Sequence, residues 1–144
     1  FLKLARKINT GMPIYTVNLL QNALNQIGRP TKGSKIGIYG LSYKANIADV
    51  RESPTHDVIK KLREEKEANV KVFDPFVLDK SDVESLDELL AWADALVVCT
   101  AHDEIVDCDS NRFRGVSLII DGRNCLDANA IKSFGIAYKG IGRG

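Results

Sequence analysis

The sequence has almost no net charge and no long apolar run. Its 20 basic and 19 acidic residues leave a formal charge of +1, whereas proteins that bind duplex nucleic acid or an acidic membrane by electrostatics carry a basic stripe. No apolar stretch approaches the roughly 20 residues that a membrane-spanning helix needs. We therefore expect no nucleic-acid partner and no membrane partner, and a charged ligand must be recognised locally.

Cysteine is scarce and its spacing is uninformative. The three cysteines, Cys99, Cys108 and Cys125, are odd in number and show no C-x-x-C spacing, which argues against a disulfide framework and a zinc site. Cys125 is expected to have no chemical role, because free cysteines are commonly buried and no histidine is near it in sequence. The pattern predicts no metal and a reducing, cytoplasmic location.

We expect His56, His102 and Asp74 to have structural roles and no role in ligand binding. His56 falls in the first turn of a predicted helix, and His102 follows a strand end beside acidic residues. Neither has a metal-ligand partner at useful spacing, so a surface or capping role is predicted for both. The Asp74-Pro75 pair predicts a turn that ends the second strand.

Short apolar runs alternate with helical patterns after residue 34. The predicted strands are Lys35–Tyr39, Val70–Phe73, Ala95–Cys99, Val116–Ile120 and Ile136–Tyr138, and the predicted helices between them are Pro54–Glu67, Leu86–Trp92 and Asp127–Phe134. Strands that alternate with helices indicate right-handed crossovers and a parallel sheet covered on both faces. The fold class is therefore α/β, a doubly wound parallel sheet that is Rossmann-like, over residues 31–144.

Residues 1–30 read as part of a long helix that precedes this domain. The apolar stripe begins at Phe1 without a capping residue, so we expect the sequence to begin inside a helix and to be a piece of a longer protein. Gly11-Met12-Pro13 interrupts the stripe and predicts a kink or a short break. An amphipathic helix with no domain of its own to cover it should find a partner, so a homodimer is predicted.

Two helix starts can be assigned from side chains. Ser53 is placed to cap the first amides of a helix whose first position is Pro54. The run from Ser85 to Glu88 is a capping box, in which each of these two side chains is expected to accept the other's backbone N–H.

A long polar loop follows the first strand. Ligands of open α/β sheets bind outside the carboxyl ends of the strands, and structureless loops of about a dozen residues in compact domains tend to be functional. Lys44 suits a phosphate or a sugar oxygen, and Tyr43 offers an aromatic face and a hydroxyl to a base or ribose. Asp49, Arg51 and Glu52 fit a structural alternative at least as well, in which they pair and hold the loop in shape.

The loop lacks the glycine fingerprint of a dinucleotide site. That fingerprint is G-x-G-x-x-G, whereas Gly37 and Gly40 are three residues apart and no further glycine follows at the required spacing. A pyrophosphate cradled by backbone is therefore not predicted, and the ligand should be held by side chains.

Four ordered motifs carry a family resemblance: "GLSYKANIADVRESP", "VKVFDP", "ADALVVCTAHDEI" and "IIDGRN". Together they resemble the carboxyl-terminal, UDP-binding domain of the UDP-glucose/GDP-mannose dehydrogenase family over almost the whole chain. The run "ARKINTGMP" is similar to the family's long central helix, which forms much of a dimer interface.

The resemblance implies that the complete enzyme oxidises the C6 alcohol of a nucleotide sugar to a carboxylate with two molecules of NAD+, which gives UDP-uronates for polysaccharide biosynthesis. It implies that Tyr43 and Lys44 contact the UDP of a UDP-sugar and that Arg123 lies at the cleft between domains. The family's NAD-binding domain and catalytic residues have no counterpart in these residues, so the chain alone is expected to be inactive and not to select the sugar. The alternative is a non-catalytic module that senses a nucleotide or coenzyme A.

Overall fold

The computed structural model describes the backbone of residues 2–141 and the side chains of residues 12–141. The strands are β1 (Lys35–Tyr39), β2 (Asn69–Phe73), β3 (Ala95–Val98), β4 (Leu118–Asp121) and β5 (Ala137–Gly140). The helices are α1 (Leu2–Gln26), α2 (Thr55–Lys60), α3 (Leu86–Trp92), α4 (Asp103–Val106) and α5 (Ala128–Ser133), with a π turn at Lys61–Glu65 and 3₁₀ turns at Leu78–Lys80 and Ser110–Gly115. The predicted elements are all present within two residues at each end when α2 and the π turn that continues it are taken together. The short α4 and the two 3₁₀ turns were not predicted.

The sheet is parallel throughout, with strand order β2-β1-β3-β4-β5. The chain leaves β1, adds β2 on one side, and then crosses back to place β3 on the other side. The order therefore reverses between β1 and β3, which is where open α/β sheets open a crevice at the carboxyl edge. This confirms the predicted doubly wound fold.

Both faces of the sheet are covered, as the continuous apolar strands predicted. Alternate residues of β1 point to opposite faces, so that Ile36 and Ile38 pack against α1 and α2 while Tyr39 packs against the layer of α3, α4 and α5. Every residue of β3 and β4 is buried. The domain thus has three layers, with an apolar core on each side of the sheet.

Helix α1 runs without interruption through Pro13, so the short break is wrong, while a kink at this position stays a prediction. Its last three turns belong to the domain, because Val17, Leu20 and Leu24 are buried in the core beside the sheet. The apolar stripe predicted over its first residues lies outside the described side chains. The expectation that no domain covers the helix is therefore wrong for its carboxyl-terminal half.

The two helix starts are close to those predicted. The Ser53 hydroxyl accepts a long hydrogen bond of 3.4 Å from the Thr55 N–H. The Ser85 hydroxyl accepts from the Glu88 N–H at 3.1 Å, whereas the Glu88 carboxylate accepts from the Glu84 N–H and not from Ser85. The reciprocal half of the capping box is thus displaced by one residue.

The outer edge of β2 is occupied by side chains. Arg63 donates to the Val70 carbonyl at 3.0 Å, and Asp82 accepts from the Val72 N–H at 2.9 Å while its own N–H donates to the Val72 carbonyl. Edge strands that are covered in this way do not offer a template for another strand.

Among the described residues, no helix is both long and apolar enough to span a bilayer.

Candidate functional site

A cavity of about 320 Å³ opens at the carboxyl edge of the sheet. Five segments contribute its walls: α1, the loop after β1, the start of α2, the end of β3 and the turn after β4. Its lining consists of Met12, Pro13, Thr16, Ser42, Tyr43, Lys44, Ser53, Pro54, Thr55, Val58, Val98, Cys99, Gly122 and Arg123. Concave sites of this size with an apolar floor and a few convergent polar groups are typical of small-molecule binding.

The structure brings together the three residues that the sequence singled out for ligand binding. Tyr43 and Lys44 come from the loop after β1, and Arg123 comes from the turn after β4, yet all three line the same cavity. Tyr43 exposes 41% of its surface, which leaves its ring face open to a ligand. Because parallel strands end at the same edge of a sheet, residues 80 positions apart along the chain can meet here.

The turn that carries Arg123 depends on a glycine and an aspartate. A Cβ on Gly122 would lie 2.6 Å from the Val98 carbonyl oxygen, so only glycine lets this turn approach β3 so closely. The buried Asp121 carboxylate accepts the N–H of Arg123 at 3.2 Å and the N–H of Leu126 at 2.9 Å. The backbone at Arg123 is therefore fixed while its guanidinium remains exposed.

Two cationic side chains, Lys44 and Arg123, line the cavity. Lys44 and Arg123 are exposed, and neither forms a salt bridge within the part of the chain whose side chains are described. Val58, Val98 and Cys99 give the floor a largely apolar character. Two unpaired cations beside an apolar surface and an aromatic ring suit a ligand with an anionic end and a planar end.

The loop after β1 is anchored at its start by Asp74. The Oδ2 atom of this buried carboxylate accepts the N–H of Leu41 at 2.7 Å, the N–H of Ser42 at 3.0 Å and the Ser42 hydroxyl at 3.1 Å. Its Oδ1 accepts the Phe76 N–H at 2.8 Å and thereby also forms the predicted turn. From the other side, the Thr100 hydroxyl donates to the Ser42 carbonyl at 2.7 Å.

His102 is buried, so the predicted surface role is wrong. Its Nε2 lies 2.9 Å from Asp74 Oδ2, and its Nδ1 lies 2.8 Å from the backbone nitrogen of Asn46. It also precedes α4 without capping that helix by its side chain. His56 is exposed, and its ring contacts the Val50 carbonyl, as a surface residue would.

The pKa of Asp74 reflects this network. Burial by itself would raise it, but hydrogen bonds from His102 and from the N–H groups of Ser42, Phe76 and Leu41 outweigh burial and lower the pKa to about 2. The carboxylate therefore stays ionised and holds its donors throughout the ordinary pH range.

Asp49 and Arg51 pair with each other on the exposed side of the loop. The guanidinium donates to both carboxylate oxygens at 3.0 Å, and the Arg51 N–H donates to Asp49 Oδ1 at 3.0 Å. Hydrogen bonds from Arg51 lower the pKa of Asp49 to about 2. Glu52 takes no part in these hydrogen bonds and has a φ of +57°. The Tyr43 N–H donates to the Asp49 carbonyl, which joins this pair to the cavity.

The thiols of Cys99 and Cys125 have raised pKa values, so both stay protonated at neutral pH. Burial raises the pKa of Cys99, at the cavity floor, to about 11, although a Thr55 hydrogen bond and the Arg123 charge act in the opposite direction. Burial and the neighbouring Asp121 raise the pKa of Cys125 to about 12. Neither thiol is a nucleophile at neutral pH. No cluster of three metal-ligating side chains occurs among residues 12–141.

Sequence reasoning missed the residues that support the loop. Asp74, Thr100 and His102 do not line the cavity, and each was interpreted without reference to the loop. Their positions just beyond β2 and β3 were the available signal, because these ends share the edge with β1. The wall that α1 contributes through Met12, Pro13 and Thr16 had no such signal.

Comparison with known proteins identifies related domains. The sequence model for the UDP-glucose/GDP-mannose dehydrogenase family, UDP binding domain, matches residues 37–128. A UDP-N-acetyl-D-mannosamine dehydrogenase of Methanococcus maripaludis is 33% identical over all of this chain and 35% of its own length. A UDP-glucose 6-dehydrogenase of Rickettsia bellii is 36% identical over 77% of this chain and 28% of its own length.

A solved structure of a related enzyme has the same fold as this chain. The crystal structure of an NDP-N-acetyl-D-galactosaminuronic acid dehydrogenase from Methanosarcina mazei superposes with a TM-score of 0.88 and 34% identity, over 97% of this chain and 31% of that one. The chain thus spans about a third of the length of the relatives that it matches.

Proposed function

This chain belongs to the UDP-glucose/GDP-mannose dehydrogenase family, and we propose that its cavity binds the nucleotide diphosphate of a UDP-sugar. One observation carries the proposal. Tyr43, Lys44 and Arg123 converge on one cavity, and its two cations have no salt-bridge partner among the described side chains.

Each residue has a distinct role in this proposal. Lys44 meets the diphosphate as a compact charge, and Arg123 offers a planar fork of donors to the phosphate oxygens. Tyr43 packs its ring against the ribose or the uracil, over the apolar floor. Asp49 and Arg51 keep the loop in shape without touching the ligand.

The sugar extends away from this cavity toward parts of the enzyme outside the chain. We propose that the complete enzyme oxidises the sugar C6 alcohol to a carboxylate in two hydride transfers to two molecules of NAD+, with one water consumed between them and three protons released. The role of this domain is to hold the nucleotide so that the distant C6 is oriented for that chemistry. The chain alone is expected to show no turnover.

The residues after β1 do not fit NAD. A Cβ on Gly40 would lie 2.6 Å from the Thr100 nitrogen, so this glycine is required for packing against the segment that follows β3 and does not open space for a pyrophosphate. We propose that NAD binds to a part of the complete enzyme outside this chain, where it accepts the hydrides.

The family also favours the dehydrogenase interpretation over a non-catalytic nucleotide- or coenzyme A-sensing module. We further propose that the enzyme serves polysaccharide biosynthesis in the cytoplasm, in keeping with its three free cysteines.

A homodimer remains part of the proposal, with α1 as its interface. Ile14 and Tyr15 expose 48% and 45% of their surfaces on this helix, while its other face packs on the sheet. Sedimentation equilibrium should detect dimers that Ile14→Lys weakens, and a monomer at high concentration would reject this interface.

Calorimetric titration of the chain with UDP tests the nucleotide site. We expect Lys44→Ala and Arg123→Ala each to weaken UDP binding by about 10-fold or more, because a charged hydrogen bond contributes about 1.5–3 kcal/mol. Lys32→Ala is the matched control, since Lys32 is an exposed lysine that pairs with Glu67 before β1, away from the cavity. Unchanged UDP affinity in both cavity variants would reject the site.

Two ligand comparisons sharpen the test. Uridine lacks the diphosphate, so its weaker binding should be insensitive to Lys44→Ala. Because the sugar lies outside the cavity in this proposal, UDP-glucose and UDP-N-acetylmannosamine should bind the chain equally well. A marked preference between them would place the sugar against this domain.

A further inference from the structure

His102 has both of its ring nitrogens engaged in a site that excludes water, with none of its side chain exposed. The Asn46 backbone N–H can only donate, so Nδ1 accepts from it and carries no proton. Nε2 therefore carries the ring proton and donates to Asp74 at 2.9 Å. One tautomer satisfies both neighbours, and the reverse tautomer would satisfy neither.

Aromatic neighbours fix the ring plane. The Phe76 ring lies 4.8 Å from the imidazole at a tilt of 37°, and Tyr39 meets it edge-on at 5.9 Å. Because Tyr39 and Phe76 are themselves held by β1 and by the turn after β2, the imidazole cannot rotate freely without losing packing on both sides.

The imidazole and Asp74 together hold the loop at two points. The carboxylate fixes the backbone at Leu41 and Ser42, and His102 extends that anchor to the backbone of Asn46. Asn46 has a φ of +63°, and its side-chain oxygen accepts the Asp103 N–H at 3.0 Å, so this second point is defined in conformation as well as position. Only residues 43–45 lie between the two points.

We propose that His102 is a positioning residue for nucleotide binding, which acts through the Asn46 backbone to set the directions of Tyr43 and Lys44 without touching the ligand. The inference rests on the proposed function of the cavity. His102 is not among the residues that line the cavity. Its effect is preorganisation, because a tripeptide fixed at both ends loses less conformational freedom on binding than one fixed at a single end.

Two substitutions separate the two hydrogen bonds. In His102→Asn the side-chain oxygen replaces Nδ1 and still accepts the Asn46 N–H, but the amide is too short to reach Asp74. In His102→Gln the amide nitrogen replaces Nε2 and still donates to Asp74, but no acceptor remains for Asn46. Each variant removes one buried hydrogen bond, so the two should be similarly destabilised. His56→Gln is the control, because that histidine is exposed.

Calorimetry with UDP should distinguish the variants. We expect His102→Gln to weaken UDP binding about 10-fold and His102→Asn by less than about 3-fold, at temperatures where both are folded. Hydrogen exchange at the Asn46 amide should be slow in the unmodified chain and in His102→Asn, and fast in His102→Gln. A role in folding alone would lower both melting temperatures without separating the two affinities.

The outcomes are separable from those of the proposed function. If the unmodified chain does not bind UDP, the proposed function fails and this inference fails with it. If the unmodified chain binds UDP but the two variants bind it equally, the positioning role is refuted while the site stands. Fast exchange of the Asn46 amide in the unmodified chain refutes the role without any variant, even where a substitution prevents folding.

Discussion

Asp74 provides a quantitative test of how the loop is held. Its pKa is lowered from an ordinary value of 3.8 to about 2, despite burial, by the hydrogen bonds from His102, Ser42, Phe76 and Leu41. At about 1.36 kcal/mol for each factor of ten in proton affinity, this difference corresponds to about 2 kcal/mol of folding free energy. Because the folded pKa is the lower one, that contribution is complete above the unfolded value of 3.8 and is lost as the pH falls toward 2.

The perturbation is Asp74→Asn, measured by urea unfolding between about pH 7 and about pH 2. The variant should be less stable near pH 7 by about 3–4 kcal/mol, because one carboxamide oxygen cannot accept every donor that the carboxylate accepts. The difference in unfolding free energy between the two proteins should then shrink by about 2 kcal/mol across the acid range.

Asp49→Asn is the matched control. Asp49 also has a pKa of about 2, caused by hydrogen bonds from Arg51, but the pair is exposed to solvent. Its contribution should be much smaller and should fall further in salt. A stability difference for Asp74→Asn that stays constant from neutral to acid pH would refute the assignment of the lowered pKa to this network.

Three further outcomes are expected. Gly40→Ala should cost more than about 3 kcal/mol in urea unfolding, because its Cβ would overlap Thr100 just after β3. Gly28→Ala, with a φ of +78° but open space around it, should cost about 1 kcal/mol. Equal costs would contradict the packing argument. Tyr138→Phe removes a 2.7 Å hydrogen bond to the buried Asp121 and should lower the unfolding free energy by about 1–2 kcal/mol. A change near zero would contradict a stabilising role for this hydrogen bond. Cys99 should react with iodoacetamide about 100-fold more slowly than free cysteine near neutral pH, because its pKa is raised to about 11. Labelling at the rate of free cysteine would show that the thiol is not buried as described.

The sheet was predictable because the strands are buried on both faces. Runs such as "ALVV" and "LIID" have no polar alternation, and this is the signature of central parallel strands. Short helices of about one turn, such as α4, leave too few residues for a 3.6-residue period and were missed. The π turn after α2 likewise has no pattern that separates it from a continuing α-helix.

The sequence predicted three residues that line the cavity, but it did not predict the residues that support the loop. Lys44 stands out as a cation in the polar loop after the first strand, whereas Arg123 was predicted from the family resemblance. His102 was misread because its burial depends on contacts with Asn46 and Asp74, which are 56 and 28 positions away along the chain. A buried histidine with two satisfied nitrogens has the same local sequence as an exposed one.

The occupied edge of β2 has a consequence for assembly. A strand from a neighbouring molecule would first have to expel both Arg63 and Asp82 from the backbone groups that they already satisfy. Growth of the sheet into open-ended filaments is therefore blocked on this side even when the protein is crowded. Any association between copies of the chain must therefore use a surface other than this edge.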